Sequence, residues 1–312
     1  MGADDGPARS RIEVSTGSGD LPRSLDPDAA FKAIGNETRL AILDTLWGAH
    51  EAEPMGFAAL RKAVGIRDGS KFNYHLQRLL EAGFIEKVDG EYGVRHAGAE
   101  VVWAVRSGSF TEHPELDPFE TTGHCLGCER PLSARYADEM FFVECTDCDR
   151  LYGLGWFPPG ALRDRTPEEA VLVWERVMRA DVATIGAGIC PKCNGVMDQT
   201  LAREWSDVPV ASPYLDTDSS AFGLWFVCRR CSVWAHQTPG EFVVDHPLVV
   251  DLYYRHGVDL RSTPRWELPW VVDESFTTVV SEDPFRVRLA VAVADEELRL
   301  TLDESFDVLA VE

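Results

Sequence analysis

Eight cysteines carry the clearest chemistry in this 312-residue chain, falling in four Cys-x-x-Cys pairs: Cys125/Cys128, Cys145/Cys148, Cys190/Cys193 and Cys228/Cys231. None is left over. Four thiolates brought together form a closed tetrahedral shell of the kind that suits Zn²⁺, so the chain is expected to hold two structural zinc ions. A catalytic zinc would need an open position and an acid–base partner, and no catalytic residue is predicted. The first two pairs stand 16 residues apart, and the intervening RYADEMFFVE can form a hairpin that returns the second knuckle to the first, as in a zinc ribbon. The other two stand 34 apart, with the excess in EWSDVPVASPYLDTDSS, which can bulge without moving the ligands. The two sets resemble copies of one unit. Gly-x-Cys-x-x-Cys recurs at Gly123 and Gly188, Leu132 and Met197 follow at equal distance, and MFFVEC and LWFVC approach the second knuckles. This duplication favours one ion within each set, while spacing alone leaves crossed pairing open. Other uses of such pairs fit less well. A reducing interior disfavours disulfides, no βαβ unit surrounds the pairs for redox work, and Cys190-Pro191-Lys192-Cys193 lacks the His-x-Glu of a deaminase.

A second set of residues could read nucleic acid, and its positioning depends on the elements over 26–108. Asp26-Pro27 opens a helix through Phe31 and Ile34, and Asn36 caps NETRLAILDTLWG. A third helix through Phe57, Leu60 and Val64 ends at Gly65. A fourth, SKFNYHLQRLLEAG, places Phe72, Leu76, Leu79 and Leu80 on one face and stops at Gly83. Phe84 to Val94 then reads as a hairpin with Asp89-Gly90 at its tip, and HAGAEVVWAVRSG as a fifth helix. Four helices followed by a hairpin is the winged helix-turn-helix order, in which the fourth helix enters the major groove. Ser70, Lys71, Asn73, Tyr74, His75, Gln77 and Arg78 lie opposite its apolar stripe, so these residues are the candidate DNA contacts. Ser, Asn, Gln and Arg can read base edges, Lys71 and Arg67 suit phosphates, and Lys87 and Arg95 flank the wing tip.

NETRLAILDTL followed by SKFNYHLQRLLEAGFIEK resembles the ArsR-type winged-helix repressors, most closely their long haloarchaeal relatives, over residues 27–107. The resemblance implies double-stranded DNA as partner and a homodimer joined through the 27–34 and 96–107 helices. The apolar face of Val101, Val102 and Val105 agrees, because it needs a second copy or another domain to cover it. Sensing chemistry departs from the family. GFAALRKAVG has none of the cysteines that metal-sensing members place there, and His96 with Glu100 imitates only half of a second metal site, reading better as a solvated pair.

Charge separates this segment from the rest. The chain carries 30 basic and 52 acidic residues, a net of −22, with only five lysines among the basic set. Residues 27–110 hold 10 basic against 11 acidic residues, whereas 111–312 hold 17 against 36. An acidic, Arg-rich chain suits a salt-saturated cytoplasm, and a segment spared the acid suits a polyanion. No stretch has the roughly 20 apolar residues of a membrane span, and the N-terminus lacks the apolar core of a secretion signal, so the expected location is cytoplasmic, away from membranes.

The remaining elements are a capped helix in TPEEAVLVWERVMRADVATIG, another opening at Asp245-His246-Pro247, and antiparallel strands through FTTVV, FRVRLAVAV and the alternating Leu298, Leu300 and Leu302. Trp266 and Trp270 read as core aromatics in preference to an effector pocket. The expected fold is α+β: a disordered lead-in (1–25), a winged helix-turn-helix (26–108), zinc ribbons (120–160 and 188–240) joined by a helix (161–187), and a C-terminal helix plus strands (245–312). That last region could bind an effector or a protein partner. The function read from these parts is sequence-specific transcriptional regulation. Two alternatives stay open: a basal factor, since winged helix plus zinc ribbon also looks like archaeal transcription factor E alpha, and a ribbon-mediated RNA- or protein-binding adaptor using Trp156 and Phe157.

Overall fold

The computed structural model describes residues 26–49, 55–212 and 220–312; the lead-in expected at 1–25 lies outside them. The chain is a mixed α+β protein whose described strands form four antiparallel sheets. It divides into two compact units, one containing the described residues up to 113 with 158–163, the other 114–157 with 164–312. Among the described residues no helix is long and apolar enough to cross a membrane.

The first unit begins with α1 (Pro27–Ile34), because Asp26 Oδ1 accepts from the Asp28 and Ala29 amides and proline needs no donor at the first helical position. α2 (Glu37–Ala49), β1 (Met55–Gly56), α3 (Phe57–Val64), α4 (Gly69–Glu81), β2 (Ile85–Val88), β3 (Glu91–Val94) and α5 (His96–Arg106) follow. Asp68 caps α4 through the Ser70 and Lys71 amides. At the hairpin tip Asp89 and Gly90 both have positive φ, 53° and 91°, the backbone that matches a two-residue turn to the twist of its strands. β1 adds to β3, giving the order β1-β3-β2. Two residues are too few to show a strand period, which is why sequence patterning misses β1. Ile42, Leu43, Leu46, Leu60, Phe72, Leu76, Leu79, Phe84, Ile85, Tyr92 and Val102 share one core.

The apolar face of α5 differs from expectation. Val102 is buried and Val101 packs on the same core, because α5 already has α2 as a neighbour. Gly98 permits this closeness: a Cβ there would come within 2.4 Å of the Phe84 carbonyl oxygen. Trp103 and Val105 stay exposed, as does Phe31 on α1. Residues 158–163, divided in the sequence reading between ribbon and connecting helix, belong to this unit; the Gly160 amide donates to the Ser107 carbonyl at 2.8 Å and Arg163 pairs with Glu112.

In the second unit β4 (Leu116–His124), β5 (Pro131–Ala137), β6 (Met140–Glu144) and β7 (Leu151–Trp156) form a meander in that order. α6 (Pro167–Gly186) opens with a reciprocal cap between Thr166 and Glu169. β8 (Met197–Ala202), β9 (Gly223–Cys228) and β10 (Trp234–Gln237) make a three-stranded sheet with β9 central. α7 (Pro239–Val243), α8 (Pro247–Arg255) and α9 (Pro269–Val272) lead into a sheet of β11 (Thr277–Glu282), β12 (Phe285–Val293), β13 (Glu296–Leu302) and β14 (Val308–Val311).

The long spacer of the second ribbon does more than bulge. Trp205 packs edge-on against Trp225, and the Ala221 carbonyl accepts from the Trp225 indole at 3.0 Å, so the excursion covers the outer face of β9. The region expected as two modules, 188–240 and 245–312, shares one core. Leu224 and Phe226 pack with Phe242, Val249, Leu252, Trp270, Val287, Leu289, Leu300 and Leu302. Each sheet offers the other an apolar face, and at about 1.5–3 kcal/mol per large side chain buried, joining those faces stabilises both. Trp266 and Trp270 are buried, the first stacked on Trp174.

Candidate functional site

The four Cys-x-x-Cys segments fold into four copies of one turn. In each, the amide of the first cysteine donates to the carbonyl five residues on: Cys125 to Arg130 at 2.8 Å, Cys145 to Arg150 at 2.9 Å, Cys190 to Gly195 at 2.9 Å and Cys228 to Val233 at 2.8 Å. The residue after the second cysteine is left-handed every time, at φ 60° (Glu129), 56° (Asp149), 54° (Asn194) and 58° (Ser232). This conformation turns the chain back on itself and aims amides at sulfur, as Gly127 N to Cys125 Sγ and Arg230 N to Cys228 Sγ show, both at 3.4 Å. A β-strand leaves each knuckle, and β6 and β9 deliver the chain to the second knuckle of each set. Leu132 and Met197, predicted as equivalents, are both buried beneath their knuckles.

The eight thiols gather as two groups, Cys125/Cys128/Cys145/Cys148 and Cys190/Cys193/Cys228/Cys231, with all sulfurs of a group within 4.8 Å of one another. Pairing is therefore within each set. Separations are 3.4 Å (Cys125–Cys148), 3.4 Å (Cys128–Cys145) and 3.9 Å (Cys128–Cys148) in the first, and 3.6 Å (Cys190–Cys231) and 3.5 Å (Cys193–Cys228) in the second. A tetrahedron with metal–sulfur bonds of about 2.3 Å has edges of about 3.8 Å, so both groups fit a four-thiolate metal ion. All eight are free thiols. At the second site Gly195 leaves room for sulfur, since a Cβ there would meet Cys193 Sγ at 3.1 Å and Cys228 Sγ at 3.3 Å.

The electrostatics ask for a cation. Burial opposes ionisation of Cys125, but hydrogen bonds from the Tyr152 hydroxyl and from the Gly127 and Cys128 amides bring its pKa down to about 6. Bonds from the Cys231 and Arg230 amides, against burial, bring Cys228 to about 6 as well. Their neighbours move the other way. For Cys128 the Arg130 amide lowers the pKa, yet the Cys145 sulfur and burial outweigh it and push the thiol up to about 12; Cys193 rises to about 12, where burial and the Cys228 sulfur outweigh the Gly195 amide. One thiolate forms readily in each group, and further anions in the same space need a metal ion.

On α4 the expected polar face is exposed at Ser70, Lys71, Asn73, Tyr74, Gln77 and Arg78, and Arg67, Lys87 and Arg95 are exposed as well. Arg78 lies 3.6 Å from Glu81, and the Lys87 ammonium sits 5.1 Å from the Tyr92 ring centroid. His75 is a correction: only 6% exposed, it points into the unit with Nδ1 3.4 Å from Arg39 Nη1. Its position, three residues past Phe72 and four before Leu79, falls within the breadth of a core-facing stripe, and its polar type concealed that. Burial, then the charges of Arg39 and Lys71, hold its pKa below the usual imidazole value. Arg39, which sequence reasoning passed over, also donates to the Lys32 carbonyl at 2.8 Å and so ties α1 to α2 and α4.

Other candidates are placed as follows. His96 and Glu100 form an exposed pair at 3.3 Å, and no third ligand joins them among the described residues. Trp156 is exposed, but Phe157 is buried with its carbonyl accepting from the Tyr136 hydroxyl, which removes it as a stacking surface. A cavity of about 20 Å³ beside the Glu175–Arg179 and Arg265–Glu241 pairs has room for about one water.

Residues 122–308, from the first knuckle to the last strand, match the family described as Domain of unknown function (DUF7351). The chain belongs to the DUF7351 family. In this DUF7351 chain, residues 27–105 match a second family, Domain of unknown function (DUF7347), whose limits fall close to the start of α1 and the end of α5. No curated protein matches the chain. Among solved structures it is similar at 15% identity and a TM-score of 0.24 to the Rio2 kinase of Chaetomium thermophilum in its ADP/Mg²⁺-phosphoaspartate complex, covering 52% of this chain and 47% of that one. The match thus spans about half the length of that relative.

Proposed function

We propose that this DUF7351 chain is a sequence-specific, DNA-binding transcriptional regulator of ArsR-like type, acting as a homodimer and carrying two structural Zn²⁺ ions. The observation that carries the reading is the α4 face: six exposed polar residues from Ser70 to Arg78 on a capped helix whose opposite face is locked into the core by Phe72, Leu76 and Leu79. Rigid support beneath a polar helix is what base reading in a major groove requires. The preceding α2 and α3 and the following Asp-Gly hairpin supply the order of a winged helix-turn-helix, and Lys87 and Arg95 suit backbone contacts on its wing. A near-neutral segment in a chain of −22 supports a polyanionic partner, and the acidic remainder supports work at high salt. Exposed Phe31, Trp103 and Val105 on α1 and α5 are the surface assigned to the dimer.

Selection from a randomised duplex pool in molar salt tests the reading. A two-fold symmetric motif with half-sites about one helical turn apart is expected. Enrichment without a shared motif would favour a basal factor, and no enrichment would overturn DNA binding.

A further inference from the structure

The two four-cysteine groups are built on one plan, yet they differ in a side chain that reaches a sulfur. Four residues past the last cysteine of the first group stands Tyr152; at the same place in the second stands Ala235. Tyr152 is 6% exposed. Its hydroxyl oxygen accepts from the Leu126 amide at 2.6 Å and lies 3.3 Å from Cys125 Sγ. A phenol has one proton, and a backbone amide can only donate, so with the Leu126 amide on the oxygen the proton is directed at the sulfur.

Resting on the reading that both groups hold Zn²⁺, we propose that Tyr152 is an outer-shell positioning residue that makes the two centres unequal, the first releasing its metal more slowly than the second. The hydroxyl neutralises part of the charge on Cys125 and, because the same oxygen is held by the Leu126 amide inside the Cys-x-x-Cys loop, it locks that knuckle around the ion. Release of the first metal then has to move a Cys-x-x-Cys loop that one hydroxyl ties at both Cys125 and the Leu126 amide. Ala235 offers the second group no such donor; its sulfurs rely on backbone amides such as that of Arg230, a type of support both groups share. Outer-shell partners of this kind change metal affinity by about 10–100-fold.

The test uses the full chain loaded with two equivalents of Zn²⁺ and challenged with excess of the chromogenic chelator 4-(2-pyridylazo)resorcinol. Release is expected in two phases of one equivalent each. Tyr152→Phe keeps the ring and removes only the hydroxyl, and should speed the slow phase about 10–100-fold while leaving the fast phase in place. With ¹¹³Cd²⁺ in both sites, the variant should shift one of two resonances and leave the other, a change that altered folding alone would not confine to one site. A single release rate in the wild-type chain overturns the proposal whatever the variant does. So does a variant in which neither phase, or both equally, is changed. Two bound equivalents released at one rate would sink the inequality and leave the zinc reading intact, whereas no bound metal would overturn both.

Discussion

Salt dependence offers the sharpest test of the proposed DNA-binding face, because each phosphate contact leaves a countable signature. Arg67, Lys71, Lys87 and Arg95 are the exposed cations at the start of α4 and on the hairpin, and none is in an ion pair among the described residues. Eight such contacts in a dimer predict that log K falls against log salt with a slope of about −7, since each neutralised phosphate contributes about −0.9. A fivefold rise in salt should then weaken binding by about 10⁵. Lys71→Ala removes one contact per protomer, so its slope should be shallower by about 1.8 in a dimer and by about 0.9 in a monomer. The variant therefore reports oligomeric state as well as contact. Asn73→Ala should leave the slope unchanged and lose about 1–3 kcal/mol of discrimination between the selected site and a scrambled duplex. Fluorescence anisotropy of a labelled duplex over a potassium chloride series reads both quantities. If Lys71→Ala keeps the wild-type slope, or the wild-type slope is shallower than about −2, α4 is not the element that approaches the duplex.

Cys145→Ser should halve the zinc content by elemental analysis and destabilise the second unit, leaving the first unit's unfolding transition in place; loss of both transitions would count against independent units. Gly195→Ala crowds Cys193 and Cys228 and should weaken one zinc equivalent in a chelator titration while the other is unaffected; two unchanged equivalents would show that the knuckle relaxes freely. His75 has a folded pKa below its unfolded value, so the unfolded chain takes up the proton first as pH falls. Its contribution to stability is whole above about pH 6.5 and declines below that value. His75→Gln should flatten this part of the first unit's denaturation profile between pH 7 and 5, and an unchanged profile would place the titration elsewhere.

What the sequence by itself determined is what depends on neighbours along the chain. The caps at Asp26 and Thr166, the Asp89-Gly90 turn and the four knuckles all form from residues within about five positions of each other, so residue types at fixed spacing were enough to read them. The period of Phe72, Leu76 and Leu79 likewise defined the buried side of α4. Tertiary structure decided whatever depends on which distant segments meet. Within-set pairing of the cysteines required β6 and β9 to carry second knuckles across their spacers, and the edge strands β1, β4 and β14 exist only because a partner strand offers free backbone groups. His75 is inside because Arg39 and the core close over that flank of the stripe, and Tyr152 reaches Cys125 only because β7 runs back beside the first knuckle. The second ribbon and the C-terminal sheet merged into one core for the same reason: burial is a property of surfaces that meet, and a single segment shows only that it has an apolar face to offer.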